Sequence, residues 1–187
     1  ADVMRQANVV TGFTLTEAEN RFEPVRKSGF SHAGDDPRQF IPAFNGAVTN
    51  LEMLEKASAG NGSFNFITER DNIIRRVPLL VRKGETLYPT LVMEALRIIQ
   101  GASTFIVKSS GANMAESFGE KTGITAIKVG RIEVPTTSTG QAWVHYTQDV
   151  PSRRIPAWQL FEDNFDPSRV AGSILFVGPS AAGLKDL

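Results

Sequence analysis

The residues that follow the last apolar run of the chain could support a nucleophilic serine. Residues 176–185 read FVGPSAAGLK. A serine nucleophile on a strand-to-helix turn requires the spacing Gly-x-Ser-x-Gly, but Gly183 comes one residue too late after Ser180. His32 and His145 both precede Ser180, whereas hydrolases with this turn place the histidine last. These two departures disfavour a Ser-dependent hydrolase that uses Ser180, and we keep it only as an alternative function.

The same residues also come close to a phosphate-binding loop, which requires Gly-x4-Gly-Lys followed by Ser or Thr. An inserted leucine displaces Lys185 by one position, and Asp186 stands where the hydroxyl is needed. Alternatively, the small residues between Gly178 and Gly183 leave backbone N–H groups free to bind an anion. A tight turn after a core strand explains the sequence without any ligand, and we favour it. Ser180 and Lys185 are kept as candidate ligand-binding residues.

Two adjacent arginines, Arg75 and Arg76, follow an Asp71–Asn72 turn. Successive residues of a strand face opposite sides. One arginine is therefore expected to pair inward with Asp71 or the Glu69 region, while the other faces solvent. Such a guanidinium could grip a ligand carboxylate or phosphate, so both arginines are candidate ligand-binding residues. Ion pairs that steady a hairpin explain the same residues, and we favour them because structural ion pairs imitate functional sites.

The composition excludes several other kinds of chemistry. The chain has 187 residues, and its 20 Lys and Arg balance its 20 Asp and Glu. This balance argues against nucleic-acid binding, because phosphate contacts need a basic surplus. The absence of cysteine excludes disulfides, thiolate zinc sites and cysteine nucleophiles, and the two histidines lack metal-ligand spacing. We therefore expect no catalytic residue, no metal and no cofactor.

Segments of helix and strand character interleave along the chain and must position these residues. From apolar spacing and from Gly and Pro at their ends, helices are predicted at 2–7, 51–59, 89–100 and 156–161. Strands are predicted at 8–15, 63–68, 77–82, 104–107, 124–129, 131–134, 142–146 and 173–177. The second and third helices are expected to bury apolar faces, made of Leu51, Leu54 and Ala57 and of Leu91, Val92, Ala95, Leu96 and Ile99. This order favours an α/β or α+β domain with helices packed on a mixed β-sheet and at least one antiparallel hairpin.

The prolines and one long connection add detail to this fold. The strands on either side of the Asp71–Asn72 turn are predicted to form the hairpin, with Pro78 at a position of the second strand whose N–H side is unpaired. Pro89 is predicted as the first residue of its helix. Residues 16–48 contain several prolines and glycines, so they are predicted to form a long loop excursion.

The segment 63–80, SFNFITERDNIIRRVPLL, resembles a pattern of Gly-Phe-x-Asn, then Asp-Gly, two apolar residues and Arg-Arg-x-Pro-Leu. That pattern belongs to the CHASE type-2 family, the cyclase/histidine kinase-associated sensing extracellular domains. Asn72 stands where the family usually has glycine, and asparagine is the next most tolerant residue for that backbone geometry. Further runs that resemble the family, in the same order, lie at 87–91, 94–97, 134–140, 155–161, 170–174 and 177–186.

Both ends of the chain look cut, because it opens without an initiator methionine and ends directly after a Gly-rich loop. The resemblance implies a single extracytoplasmic sensor domain over residues 1–187 that lacks the family's N-terminal portion. It implies a non-catalytic domain on the periplasmic or extracellular side of the bacterial cytoplasmic membrane. The intact protein would be a transmembrane receptor that controls a cytoplasmic adenylate cyclase, histidine kinase or diguanylate cyclase.

The partners expected from this resemblance are a small-molecule or protein signal, and a second copy of the chain in a homodimer. Nucleic acid is not expected as a partner, and the full-length protein would be tethered to the membrane. A non-sensing protein-interaction or dimerisation module is the second alternative, beside the hydrolase.

Overall fold

The computed structural model describes residues 1–112 and 122–179 and divides the chain into two compact units, Ala1–His145 and Tyr146–Leu187. The described part of the first unit contains the helices α1 (Asp2–Arg5), α2 (Glu52–Ala57) and α3 (Leu91–Ile99) and a 3-10 helix at Pro37–Gln39. Its strands are β1 (Val10–Thr16), β2 (Gly29–Ala33), β3 (Ala43–Phe44), β4 (Gly46–Val48), β5 (Gly60–Ser63), β6 (Arg76–Pro78), β7 (Leu80–Lys83), β8 (Thr86–Pro89), β9 (Thr104–Ser109), β10 (Ile124–Val129), β11 (Ile132–Pro135) and β12 (Gln141–Trp143). The second unit contains 3-10 helices at Pro151–Arg153, Ala157–Phe161 and Pro167–Arg169.

The strands of the described residues form four small sheets, in the orders β4-β1-β5, β11-β10-β9-β2, β12-β6 and β3-β7-β8. Strand β1 pairs in parallel with β5 and antiparallel with β4, and β2 pairs in parallel with β9. Antiparallel hairpins join β7 to β8 and β10 to β11, with turns at Gly84 and Gly130. The predicted mixed α/β fold with an antiparallel hairpin is therefore confirmed, although the strands are divided among several sheets.

Strand β7 connects two apolar clusters. Leu80 and Val81 follow each other in the strand, so their side chains face opposite sides, and each is 0 % exposed. Leu80 packs in a cluster that includes Phe105 of β9, whereas Val81 packs in a cluster with Phe13 of β1 and with Tyr88. Because β7 is buried on both faces, it links the packing of the β1 sheet with that of the β9 sheet.

Helix α3 buries an ion pair. Glu94 is 0 % exposed, and its carboxylate accepts hydrogen bonds from Nε and Nη2 of Arg97 at 2.9 and 2.8 Å. Nη1 of Arg97 also donates to the carbonyl of Ala102 at 2.9 Å, and Nη2 donates to the carbonyl of Ala59 at 3.2 Å. The backbone N–H of Asn61 donates to Glu94 Oε1 at 3.4 Å. The pair therefore ties α3 to β5, to the residue before β5 and to the chain after the helix.

The predicted apolar faces of the second and third helices are wrong at several positions. Leu51, which precedes α2, is 68 % exposed, and Val92 of α3 is also exposed. The buried face of α2 carries Glu55, whose carboxylate accepts the backbone N–H groups of Val25 at 2.8 Å and Asn50 at 3.1 Å. Buried N–H groups need acceptors, so the buried face of α2 includes a charged side chain that the apolar pattern does not predict.

The chain at 16–48, predicted to be a long loop, contains β2, β3, β4 and a 3-10 helix. Side chains also hold the stretch before β2. The Asn20 amide donates to the carbonyl of Ala47 and accepts from its N–H, each at 3.0 Å. The Tyr88 hydroxyl donates to Glu23 at 3.0 Å, and burial together with this carboxylate raises the pKa of Tyr88. The structure differs from the prediction because these contacts join residues that are distant in the sequence.

The predicted strand that begins at Ser63 instead ends there, as the last residue of β5. The side-chain amide of Asn65 then bonds the backbone N–H and carbonyl of Leu15 at 2.7 and 2.8 Å, so it takes the place of a further strand residue. The predicted hairpin across the Asp71–Asn72 turn is therefore wrong. Strand β6 pairs instead with β12, where Pro78 lies opposite Gln141.

Two further predicted elements are also wrong. Pro89 ends β8 and does not begin α3, because the hairpin with β7 buries the central side chains of β8 and Thr90 takes the N-cap position of the helix. Residues 173–177 form no strand in the second unit and are exposed. A strand needs a neighbour for its backbone hydrogen bonds, and no described residue pairs with this segment.

Replacement of Arg97 by methionine tests the buried ion pair. The variant leaves the Glu94 carboxylate buried without its counterion, so we expect the free energy of unfolding to fall by about 3–5 kcal/mol. Urea unfolding followed by circular dichroism measures the change. A double variant with Glu94→Gln and Arg97→Met should lose clearly less, because no charge remains buried. Equal losses in the two variants would contradict this explanation.

Substitution of Gly62 by alanine tests the close approach of β5 to α3. A Cβ at Gly62 would lie 2.6 Å from the Cα of Leu91, so backbone must move, and we expect a loss of about 1–3 kcal/mol in unfolding free energy. Gly178→Ala is the matched control, because nothing lies within 4 Å of its added Cβ. We expect this control to stay within about 0.5 kcal/mol of the parent chain. A Gly62→Ala variant as stable as the control would exclude the clash.

Candidate ligand-binding cavity

The predicted turn at Asp71 and Asn72 is confirmed. Asn72 has φ 61°, the one positive φ of a non-glycine residue in the described chain, and its N–H donates to the carbonyl of Glu69 at 2.9 Å. Asp71 Oδ1 accepts the N–H of Ile73 at 3.1 Å. Asparagine and aspartate favour this geometry because their short side chains hydrogen-bond locally. The turn places Glu69, Arg70 and Asp71 ahead of the arginine pair.

Arg75 bridges the two carboxylates of the turn. Its Nη1 donates to Glu69 Oε2 at 3.0 Å and to Asp71 Oδ1 at 3.1 Å, and its Nη2 donates to Asp71 Oδ2 at 2.8 Å. Its backbone carbonyl accepts the N–H of Val144 at 2.9 Å. Arg75 therefore neutralises the turn and also connects it to the residue after β12.

Arg76 is held between a carboxylate and an aromatic ring. Its Nε and Nη2 donate to Glu69 Oε1 at 3.1 and 2.9 Å, and its guanidinium carbon lies 5.3 Å from the ring centroid of Trp143. Trp143 lies directly opposite Arg76 in the β6–β12 register, so the cation–π contact is a cross-strand pair. The expectation that one arginine pairs inward while the other faces solvent is wrong, because the two oxygens of Glu69 bind both arginines and both side chains are similarly half-exposed.

These hydrogen bonds shift the titration of the cluster. Hydrogen bonds from Arg76 hold the pKa of Glu69 below its ordinary value, and those from Arg75 do the same for the pKa of Asp71. The Asp71 carboxylate in turn raises the pKa of Arg75. The stabilisation from both carboxylates is present above their unfolded-state pKa and is lost as the pH falls through the lowered folded-state pKa. Glu69, Asp71, Arg75 and Arg76 are therefore all ion-paired near neutral pH.

A cavity of about 500 Å³ opens beside this cluster, lined by residues 67–71, Arg76 and Gln141. We name it the arginine cavity. Its volume falls within the range of roughly 300–1,000 Å³ that is usual for small-molecule sites. Strand β6 supplies Arg76, strand β12 supplies Gln141, and the turn supplies the other lining residues. The cavity thus depends on the pairing of two strands that are far apart in the sequence.

The structure divides the predicted site residues. Arg76 lines the arginine cavity. Arg75 does not line it, but it forms ion pairs with the lining residues Glu69 and Asp71. Ser180, Lys185, Gly183 and Asp186 lie outside the described residues. The structure also brings Arg70 into the cavity lining, a residue that the sequence analysis does not single out although it directly precedes the predicted turn.

The described residues include no group of three or more His, Asp and Glu side chains that could hold a metal ion. The charged groups of the arginine cavity are instead arranged as ion pairs, in which every carboxylate oxygen of Glu69 and Asp71 accepts from a neighbouring donor. What this arrangement offers to a ligand is hydrogen-bond donors on arginine.

Fold and cavity together define a mixed α/β domain with a ligand-sized, charged cavity. A family model, the CHASE2 domain, matches residues 1–187, and the chain belongs to the CHASE2 domain family. CHASE2 domains are extracellular sensory domains of membrane receptors and not catalytic domains. Comparisons with curated proteins and with solved structures found no match. Within residues 1–112 and 122–179, no helix has the length and apolar character needed to cross a membrane.

Substitution of Asn72 tests the turn that presents the cavity residues. Asn72→Gly should keep the stability of the chain, because glycine adopts positive φ without strain. Asn72→Val should lower the unfolding free energy by about 1–2 kcal/mol, since its branched Cβ clashes in that conformation. Urea unfolding of the two variants and the parent chain measures both effects. A valine variant as stable as the glycine variant would show that the positive φ is not required.

Proposed function

We propose that this chain is the extracytoplasmic signal-receiving domain of a bacterial transmembrane receptor, and that its ligand binds in the arginine cavity. In this proposal the intact receptor controls a cytoplasmic adenylate cyclase, histidine kinase or diguanylate cyclase. Membership of the CHASE2 family supports the sensory role. The single observation that carries the ligand role is the cavity-lining Arg76, oriented on one side by Glu69 and on the other by Trp143.

The orientation of Arg76 favours ligand binding because it lowers the entropic cost. A free arginine side chain loses rotamer entropy when it binds. Here the ion pair with Glu69 and the cation–π contact with Trp143 restrict the guanidinium before any ligand arrives. Arg75 is a positioning residue in this proposal, because it reaches the cavity only through Glu69 and Asp71.

A signal can leave the cavity along β12. Gln141 of this strand lines the cavity, Trp143 contacts Arg76, and the next residue, Val144, donates its N–H to Arg75. The chain continues directly from there into the second unit, which begins at Tyr146. A ligand that prefers one arrangement of these groups over another shifts the equilibrium between them. The receptor would use this shift to change its cytoplasmic output.

Removal of both arginines in the intact receptor tests the proposal. With Arg75→Ala and Arg76→Ala, we expect the stimulus concentration for half-maximal output to rise at least about tenfold, or the response to disappear. The measured quantity is the dose dependence of the output, with receptor level and folding checked by membrane immunoblot and limited proteolysis.

The matched control for this experiment is the other adjacent arginine pair, Arg153→Ala with Arg154→Ala. These two substitutions also remove two positive charges, but from the second unit, where the exposed Arg154 pairs with Asp149 at 2.7 Å. The control should respond like the parent receptor. An unchanged dose dependence in the Arg75 and Arg76 variant would exclude a ligand role for the cavity arginines.

A further inference from the structure

The charges and shape of the arginine cavity point to a particular class of ligand. We propose that it binds a small molecule that carries a single carboxylate next to an apolar group. The inference rests on the proposed ligand-receiving function and adds the chemistry of the ligand to it.

The five charged side chains in and next to the arginine cavity carry a net charge of one positive unit. Two carboxylates, Glu69 and Asp71, stand against three guanidinium groups, Arg70, Arg75 and Arg76. Both oxygens of each carboxylate already accept hydrogen bonds from Arg75, Arg76 or a backbone N–H. Arg70 lines the cavity and is exposed, and no described residue forms a hydrogen bond or ion pair with its side chain. One negative charge on a ligand would complete the balance.

Arg76 offers the geometry that a carboxylate needs. A guanidinium has five N–H groups and two edges that can bind a carboxylate with paired hydrogen bonds. Glu69 occupies the edge formed by Nε and Nη2. The other edge, with Nη1 and the second N–H of Nη2, has no acceptor among the described residues. The guanidinium carbon also lies 5.3 Å from the ring centroid of Trp143, so the contacts with Glu69 and Trp143 together orient this open edge.

The rest of the lining fits a small organic molecule and not a bare ion. Ile67 contributes an apolar side chain to the wall, and Thr68 and Gln141 contribute neutral polar groups. A volume of about 500 Å³ far exceeds what a lone inorganic ion would fill. Small-molecule sites combine apolar wall with a few directed polar groups in this way. The apolar part of the ligand would lie against Ile67 while its carboxylate meets Arg76 and Arg70.

Other ligand charges fit less well. A cation would be repelled by Arg70, whose charge no described residue pairs, and by the open edge of Arg76. A phosphate dianion brings more negative charge than the single uncompensated guanidinium balances, and it would compete with Glu69 for Arg76. A neutral amide of the same shape would lose the charge-assisted hydrogen bonds, which are about twice as strong as neutral ones.

A set of four matched probes tests the ligand class on the 187-residue chain. Sodium benzoate, benzamide, benzylamine and phenyl phosphate share a ring and differ in charge. The indole N–H signal of Trp143 in two-dimensional NMR is the local readout, and Trp158→Phe assigns it. We expect saturable shifts of this signal with benzoate. Benzamide should bind at least about tenfold more weakly, and benzylamine should not bind. Benzamide that binds as tightly as benzoate, or phenyl phosphate that binds more tightly, would overturn the proposal.

Variants locate the probe. Arg70→Gln and Arg76→Gln should each weaken benzoate binding at least about tenfold, whereas Arg131→Gln, an exposed arginine outside the cavity lining, should leave it unchanged. Benzoate binding that is insensitive to both cavity variants would also overturn the proposal.

The two proposals fail in different ways. Absence of benzoate binding together with a lost receptor response in the Arg75 and Arg76 variant would overturn the ligand class alone. Benzoate binding with a normal response of that receptor variant would overturn the signalling role alone.

Discussion

The ion pair between Glu94 and Arg97 is the contact around which the first unit is assembled. Its two charges lie on one face of α3, and its remaining hydrogen bonds reach Ala59, Asn61 and Ala102 on the chain segments at either side. A buried charge is costly unless it is both paired and hydrogen-bonded. The pair therefore accepts few other positions for β5 and for the chain after α3 relative to the helix.

The charged cluster at the arginine cavity has a different physical character. Glu69, Asp71, Arg75 and Arg76 are partly exposed, and ion pairs in contact with water contribute little to stability. Because their contribution to stability is small, substitutions in this network change the charge at the cavity while the apolar core stays intact. The buried pair of α3 and the partly exposed network at the cavity therefore contribute differently to the stability of the first unit.

Local features of the sequence predicted local features of the structure. The Asp71–Asn72 turn was predicted because it depends on the backbone preference of two adjacent residues. The pairing of β6 with β12 could not be predicted, since no short-range pattern indicates which distant strand is the partner. For that reason the sequence predicted Arg76 as a candidate ligand-binding residue but did not predict its contact with Trp143. It also did not predict the cavity that Arg70 lines. Apolar periodicity also failed for α2 and α3, because it assumes that carboxylates such as Glu55 face water.

The parallel pairing of β2 with β9 has a consequence for how the chain reaches its structure. Its register joins Gly29 to Thr104, so β2 must wait until β9 has been synthesised. Until then the chain holds the open strand edges and apolar side chains of its N-terminal half without their partners. Folding slows as contacts become more distant in sequence, because the entropy of loop closure is lost before the contacts form. The domain is therefore expected to fold slowly for its size and to need protection from aggregation while its synthesis is incomplete.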